Sequence, residues 1–242
     1  MNKLPMTLTA LLSLSTISHA AVVVSDNFSY SDGDVDTVGT GGTGWAETWQ
    51  NGNSNDTRRF IVSSGSAIFQ GGGNSTTTEQ TRAFTSAITL GTNDTLTINF
   101  TLIRPETQSG RGIGITLKDT GSTSFFIGKK INGSVGLHDA INIGATSHST
   151  FSSSPSSQDI TATITYDGAN TSIVMSDSNE TLSAHSFAGA FSIDGIGLNA
   201  YHASTTTNGV DNLSVDLVAV PEPSVSALLG LGGLALIIRR RK

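Results

Sequence analysis

The sequence predicts an all-β protein, a jelly roll or other β-sandwich folded as a single domain. Apolar and polar residues alternate with a period of two along much of the chain, which is the pattern of strands that bury one face. Turn-forming pairs such as Asp32-Gly33 and Asn132-Gly133 separate these segments. Only 13% of the 242 residues are charged, and the chain is rich in Ser, Thr, Asn and Gly. This composition suits strands and turns better than helices.

Residues 1–20 are expected to form a cleavable export signal. Lys3 supplies a positive start, residues 4–17 are mostly apolar, and Ser18-His19-Ala20 places small residues at the −3 and −1 positions of a cleavage site. This order is typical of a signal peptide and disfavours the alternative of a short buried helix. We therefore expect cleavage after Ala20 and a folded domain over residues 21–218.

The clearest strand predictions have one apolar and one polar face. Residues 95–102 (TLTINFTL) alternate in this way, as do residues 159–166 (DITATITY), and a register slip of one residue would turn each apolar row into water. Residues 147–157 (SHSTFSSSPSS) are expected to form a polar loop. Further strands are predicted at 22–28, 59–62, 67–70, 80–84, 112–118, 124–129, 134–138, 171–176, 195–200 and 212–217.

The C-terminal tail (220–242) combines a Pro-Glu-Pro turn, a short apolar segment and a basic end. A helix over the apolar residues 224–238 would be about 22 Å long, against roughly 30 Å for a hydrocarbon core. It is therefore a short transmembrane helix, and its basic end is expected to stay cytoplasmic while the preceding domain lies outside. The motif residues are Val220, Pro221, Glu222, Pro223, Arg239, Arg240 and Arg241.

This tail resembles the PEP-CTERM sorting signal of Gram-negative bacteria. The resemblance implies that Pro221, Glu222 and Pro223 carry recognition by a membrane-embedded exosortase. It further implies export, transient anchoring in the inner membrane, and a final place on the cell surface or in the extracellular matrix. It covers only the tail, so it implies nothing about what the domain does.

The domain itself resembles the concanavalin A-like and laminin-G-like jelly rolls. It opens with residues 26–30 (DNFSY) and a Gly-rich segment that ends at Trp45, and it closes with residues 194–199 (DGIGLN) and 209–215 (GVDNLSV). In that fold the first and last strands pair. The resemblance therefore implies that residues 26–28 lie beside the strand that follows Asp211.

The charge of the domain excludes nucleic acid as a partner. Five of the 13 basic residues and one of the 19 acidic residues lie in the two ends, which leaves the middle with a net charge of about −10. Such a domain repels phosphate backbones. The absence of cysteine excludes disulfides, thiol catalysis and cysteine-ligated metals.

No catalytic constellation is recognised in the sequence. It lacks a Gly-x-Ser-x-Gly elbow, a phosphate-binding loop, His-Glu-x-x-His, and the Glu-x-Asp-x-x-Glu signature of jelly-roll glycosidases. Its central glutamates, Glu47, Glu79, Glu106 and Glu180, are far apart along the chain. We therefore assign no catalytic residue and no cofactor other than the calcium ion considered next, although distant residues can still meet in a fold.

Asp32, Asp34 and Asp36 form the one dense run of carboxylates, and alternating Asp oxygens can bind Ca²⁺. An EF-hand is excluded, because its sixth and twelfth positions would hold Thr37 and Thr43. Laminin-G-like folds often carry calcium, with ligands from separate loops. A solvated acidic turn is the favoured alternative for this run.

Trp45 and Trp49 form a candidate platform on which a sugar ring could stack. The favoured alternative is that both rings pack in the core. Four histidines, His138, His148, His185 and His202, show no metal-like spacing, and each is expected in a loop or at the surface.

These observations lead to one principal hypothesis and two alternatives. The chain is expected to be an exported, non-catalytic surface or matrix protein that binds polysaccharide. The first alternative is a secreted hydrolase that acts on polysaccharide through two paired carboxylates in a cleft. The second is a structural coat protein without a ligand.

Overall fold

The regular secondary structure of the described residues is β-strand except for one helix of four residues. A computed structural model describes residues 20–51, 58–71, 77–103, 110–119, 124–153, 155–201 and 208–220. The predicted signal before Ala20, the tail from Pro221 onward with its predicted transmembrane helix, and His202 lie outside these residues. Within them, no helix combines the length and apolar character needed to cross a membrane.

The strands and one short helix follow in chain order. They are β1 (Ala20–Asp26), β2 (Gly33–Asp34), α1 (Val35–Val38), β3 (Gln50–Asn51), β4 (Arg59–Ser63), β5 (Ser66–Gln70), β6 (Thr77–Thr89), β7 (Thr95–Ile103), β8 (Gly112–Asp119), β9 (Phe125–Lys129), β10 (Val135–His138), β11 (Ser147–Thr150), β12 (Ser157–Tyr166), β13 (Asn170–Ser176), β14 (His185–Ala188), β15 (Ser192–Tyr201) and β16 (Gly209–Val218).

These strands form two antiparallel sheets, which confirms the predicted all-β sandwich. The first sheet has the order β14-β13-β12-β7-β16-β5-β4-β2, and β1 also pairs with β16. The second has the order β11-β10-β9-β8-β15-β6-β3. We call them the nine-stranded and the seven-stranded sheet. One main cluster of buried apolar side chains draws residues from both.

The period-two pattern determines which face of each strand is buried. In β7, Leu96, Ile98, Phe100 and Leu102 are at most 2% exposed, while the residues between them are partly exposed. β12 pairs with β7 so that Ile164 lies opposite Leu96 and Thr163 opposite Thr97. Apolar rows therefore meet apolar rows across the sheet, and threonine rows face solvent.

The first and last strands pair, as the jelly-roll resemblance implies. Ala20 lies opposite Val218, and Asp26 opposite Leu213. β16 has β7 along one side, and on the other side it has β5 near its start and β1 near its end. The register of β16 against β7 shifts between Asp211 and Ser214, where Asn212 adopts a left-handed conformation with φ 51°.

The expectation of a polar loop over residues 147–157 is wrong at both ends of that segment. Ser147–Thr150 forms the edge strand β11, and Ser157 already begins β12. An edge strand bonds on one side only and leaves the other side to water, so it can consist of polar residues without a buried apolar row. For this reason alternation of apolar and polar residues did not reveal it.

Two histidines connect the edges of the two sheets. His148 lies in β11 of the seven-stranded sheet and His185 in β14 of the nine-stranded sheet, and their rings stack with centroids 3.7 Å apart. Asp139 Oδ1 lies 2.6 Å from His148 Nε2. Burial and the neighbouring His148 lower the pKa of His185, and the more distant Asp139 partly opposes this. The lowered pKa favours a neutral His185 ring at neutral pH.

The buried row of β7 supports a direct test of the register. Replacing Ile98 by Ala should lower the free energy of unfolding by about 2–5 kcal/mol, because it leaves a cavity between the sheets. The neighbouring Thr97→Ala removes an outward side chain and should change stability by about 0.5 kcal/mol or less. Urea unfolding of both variants measures the difference, and equal effects would contradict the assigned register.

Candidate functional site

A buried ion pair joins the two sheets and organises the opening block of the domain. Asp26 ends β1 in the nine-stranded sheet, and Arg82 lies in β6 of the seven-stranded sheet. Asp26 Oδ2 and Arg82 Nη1 are 2.8 Å apart, and the side chains are 0% and 3% exposed. Because charges this deep lose their hydration, they need further hydrogen bonds to be tolerated.

Those hydrogen bonds come from residues that follow Asp26 in the sequence. The backbone N–H of Phe28 and the hydroxyl of Tyr30 donate to Asp26 Oδ1 at 2.9 and 2.6 Å. The indole N–H of Trp49 donates to Oδ2 at 3.1 Å, and Arg82 Nε donates to the carbonyl of Glu47 at 2.6 Å. Burial and the carboxylate beside it raise the pKa of Tyr30 well above its usual value. The hydroxyl therefore stays a donor.

Both tryptophans contact the buried ion pair of Asp26 and Arg82, so the predicted sugar platform is wrong for Trp49. Its ring is 1% exposed and packs on Phe28 with centroids 6.0 Å apart. Trp45 is partly buried; its indole N–H donates to the carbonyl of Ser25 at 2.9 Å, and the guanidinium carbon of Arg82 lies 4.8 Å from its ring centroid. The favoured alternative of core packing describes both rings better than a platform does.

The structure does not bring Asp32, Asp34 and Asp36 together as a metal site. Asp34 Oδ1 pairs with Arg59 Nε at 2.7 Å, and Asp32 Oδ1 accepts the backbone N–H of Ser64 at 3.1 Å. Asp36 lies in the first turn of the short helix α1. Across the part of the chain that the structure describes, no group of three or more His, Asp or Glu side chains could hold a metal ion.

A different set of polar residues meets on the outer face of the seven-stranded sheet. Cross-strand pairs share a face, and Glu79 in β6 lies opposite Asn199 in β15. In the neighbouring strand β8, Thr116 and Lys118 lie opposite Gly197 and Gly195 of β15. Leu117 between them is fully buried, so Thr116 and Lys118 face away from the core.

These side chains form one hydrogen-bonded network. Lys118 Nζ lies 2.7 Å from a carboxylate oxygen of Glu79, and each of these two side chains is 32% exposed. The amide of Asn199 donates to Glu79 Oε1 at 2.8 Å and to Thr116 Oγ1 at 2.6 Å, and only 4% of Asn199 is exposed. The buried amide thereby fixes the orientation of an accessible ion pair.

Two cavities share Lys118 as a lining residue, and we call them together the polar groove. The larger has a volume of about 500 Å³, and Glu47, Asp119 and Asp194 are among the residues that line it. The smaller has a volume of about 290 Å³ and is lined by Glu79 and Asp139 among others. The groove therefore contains several hydrogen-bond acceptors and one accessible ammonium group.

Beyond the groove, the outer face of the sheet is covered. Gly114 of β8 lies opposite Gly128 of β9, and a Cβ at Gly114 would collide with the backbone of Ile127 and the ring of Phe126. Because these two glycines have no side chains, there is room above them for a small apolar cluster. It consists of Phe126, Ile131 and Ile141, each at most 5% exposed. This cluster keeps Phe126 out of contact with solvent.

His138 corrects the expectation that each histidine lies in a loop or at the surface, because it is a buried residue of β10. Its side chain is fully buried, with Nδ1 3.0 Å from Ser147 Oγ and Nε2 3.3 Å from the carbonyl of Ser134. Burial, helped by the positive charge of Lys130, lowers its pKa from 6.5 to about 4. The ring is therefore neutral at neutral pH.

Sequence reasoning missed the residues of the groove. From the sequence, Glu79 is only one of four scattered glutamates, and Asp194 and Asn199 belong only to the closing block of the jelly-roll resemblance. A usable signal was present, because Thr116 and Lys118 alternate with buried residues in a predicted strand. That alternation assigns them to an outer face but does not show that β6 and β15 lie beside them.

Comparison with known proteins identifies the tail. Residues 219–242 match the model of the PEP-CTERM protein-sorting motif, which confirms the resemblance of the tail and indicates an exported protein with a C-terminal, membrane-anchored sorting signal. No curated protein matches the sequence.

Solved structures similar to this chain include a glucanase, a seed lectin and a lumenal domain. One is an endo-1,3-β-glucanase from Streptomyces sioyaensis (TM-score 0.49, 11% identity, 83% of this chain and 97% of that chain). A second is a seed lectin from Lotus tetragonolobus (0.42, 12%, 72% and 94%). A third is the Ca²⁺- and mannose-bound lumenal domain of VIP36 (0.41, 10%, 73% and 84%). At these identities the likeness concerns the fold alone.

The ion pair between the sheets leads to a prediction about stability. Asp26→Asn should lower the free energy of unfolding by about 3–5 kcal/mol, because it leaves the Arg82 charge buried without its partner. Asp34→Asn is the matched control; it breaks the pair with Arg59, which is about one-third exposed, and should cost about 1 kcal/mol or less. Urea unfolding followed by tryptophan fluorescence reports both, and an equal cost would refute the special role of Asp26.

His138 leads to a prediction about pH. The folded state holds the ring neutral down to about pH 4, whereas the unfolded chain protonates it near pH 6.5. The stability from the neutral ring is therefore complete above pH 6.5 and is lost as the pH falls towards 4, by about 3 kcal/mol. His138→Phe keeps a ring that cannot titrate, so its unfolding free energy should fall less over this range. Parallel curves for the two proteins would contradict the assignment.

Proposed function

We propose that this chain is a non-catalytic surface or extracellular-matrix protein of a Gram-negative bacterium that binds polysaccharide in the polar groove. The proposal of polysaccharide binding rests on one observation, the hydrogen-bonded network on an accessible face that consists of Glu79, Lys118, Asn199 and Thr116. The matched sorting motif at residues 219–242 supports the location. Export machinery, an exosortase and the membrane are the partners that this proposal implies.

The groove suits a ligand with many hydroxyl groups. A sugar hydroxyl both donates and accepts, and the groove offers carboxylate acceptors beside the Lys118 donor. Because Asn199 already fixes Glu79, the network loses little conformational freedom on binding, and such pre-organisation favours affinity. Two cavities that share the lining residue Lys118 suit an extended chain of several units better than a single sugar.

The charge of the groove favours a neutral polysaccharide. Glu47, Glu79, Asp119 and Asp194 line the two cavities together with Lys118, while the other lining cation, Arg82, is committed to Asp26. A polymer of uronic acids would meet excess negative charge and be repelled. The same excess charge agrees with the exclusion of nucleic acid.

Binding can be tested with a matched pair of double variants. Glu79→Gln/Lys118→Met removes the ion pair of the groove, and Asp34→Asn/Arg59→Met removes a pair of the same length and exposure in the nine-stranded sheet. We expect the wild type and the second variant to be retained on immobilised neutral polysaccharides, and the first to lose at least tenfold in affinity. Failure of the wild type to bind any polysaccharide would support the coat-protein alternative.

One observation favours a hydrolase as the second candidate function. Three acidic residues, Glu47, Asp119 and Asp194, line the larger cavity, and glycosidases use a pair of carboxylates about 5–10 Å apart. A hydrolase would release reducing ends from the polysaccharides that it binds, and Asp119→Asn or Asp194→Asn would abolish the release. On the binding proposal no reducing ends appear with any of the three proteins.

A further inference from the structure

The folded domain holds the residue that directly precedes the Pro-Glu-Pro motif. The backbone N–H of Val220 donates to Asp94 Oδ1 at 2.8 Å. The next residue, Pro221, has no backbone N–H, so Val220 provides the last main-chain donor before the motif. The contact therefore fixes the chain at the border of the sorting tail (residues 221–242).

Asp94 is well placed to act as a fixed anchor. Its other oxygen, Oδ2, accepts the backbone N–H of Gly91 at 2.8 Å, and its own N–H donates to the carbonyl of Gly91 at 3.0 Å. Only 9% of Asp94 is exposed. The turn between β6 and β7 thus orients the carboxylate, and a charged acceptor makes a stronger hydrogen bond than a neutral one.

The same end of the domain also holds the predicted signal cleavage site. Val218 pairs with Ala20 of β1 on one side and with Thr95 of β7 on the other. Cleavage after Ala20 would leave a mature chain whose first residue, Ala21, pairs with Leu217. Both predicted processing sites therefore lie within a few residues of one strand ladder.

We infer that Asp94 restrains removal of the sorting tail, an inference that rests on the proposed sorting by an exosortase. A protease binds its substrate as an extended chain, and a main-chain N–H already bonded to the domain is not available to the enzyme. Only three residues of sequence separate Val220 from the predicted membrane segment 224–238, so a restraint at Val220 leaves a linker of three residues before that segment. Release of Val220 from Asp94 gives the enzyme the length of chain that it needs.

The test compares two turn carboxylates in the full chain within an exporting cell that contains the sorting protease. Asp94→Asn weakens the bond to Val220. Asp177→Asn is the matched control, because Asp177 accepts the backbone N–H groups of Asn179 and Glu180 in another turn and does not contact Val220. Pulse–chase labelling should show the tail of Asp94→Asn removed about tenfold faster than that of the wild type. The control should be processed at the wild-type rate.

A second measurement separates a local release from general unfolding. In tail-bearing chains made without the protease, amide hydrogen exchange at Val220 should be about tenfold faster in Asp94→Asn and unchanged in Asp177→Asn, while the two variants melt at similar temperatures. If wild type is processed and Asp94→Asn is processed at the same rate or more slowly, the inference is overturned and the proposed function stands. If the wild type keeps its tail in the exporting cell, the proposed sorting fails, and the inference fails with it.

Discussion

The architecture depends on one buried charge pair between the two sheets. Removing an Asp and an Arg from water costs several kcal/mol per ion, and here the cost is offset by the donors that surround Asp26 and by the carbonyl that accepts from Arg82 Nε. Satisfying that pair dictates the path of the chain from β1 to β3. It also explains why Trp49 is buried and Trp45 partly buried, since the Trp49 indole donates to Asp26 and the Trp45 ring lies beside the guanidinium of Arg82.

Most strands of the fold could be predicted from the sequence, but the residues of the polar groove could not, and the reason is physical. Strands such as β7 and β12 bury one face, and burial leaves a period of two that can be recognised along the chain. Edge strands such as β11 and β14 bury little, so their composition carries no such signal. The groove depends on which strands become neighbours, and the meeting of Glu79 with Lys118 and Asn199 is a property of strand order that no local pattern encodes. His138 was misjudged for a related reason, because two short-range hydrogen-bond partners, from Ser134 and Ser147, make its burial tolerable.

The two sheets carry different features of the domain. The nine-stranded sheet contains both the first and the last strand and therefore holds the ends of the domain. The seven-stranded sheet presents the polar groove, and the apolar cluster around Phe126 limits how far that groove extends. The separation follows from strand order alone and does not require a second domain.

The pairing of β1 with β16 also sets the order in which the molecule can be completed. A chain that emerges through an export channel in N-to-C order delivers β1 first and its partner last, so the nine-stranded sheet cannot close while any part of the domain is still in transit. Contacts between residues so distant in sequence are slow to form, and until they form, the apolar rows of the early strands stay exposed. The domain can therefore complete its fold only after β16 is available, and until then the chain remains unfolded. This order favours passage through the membrane before folding.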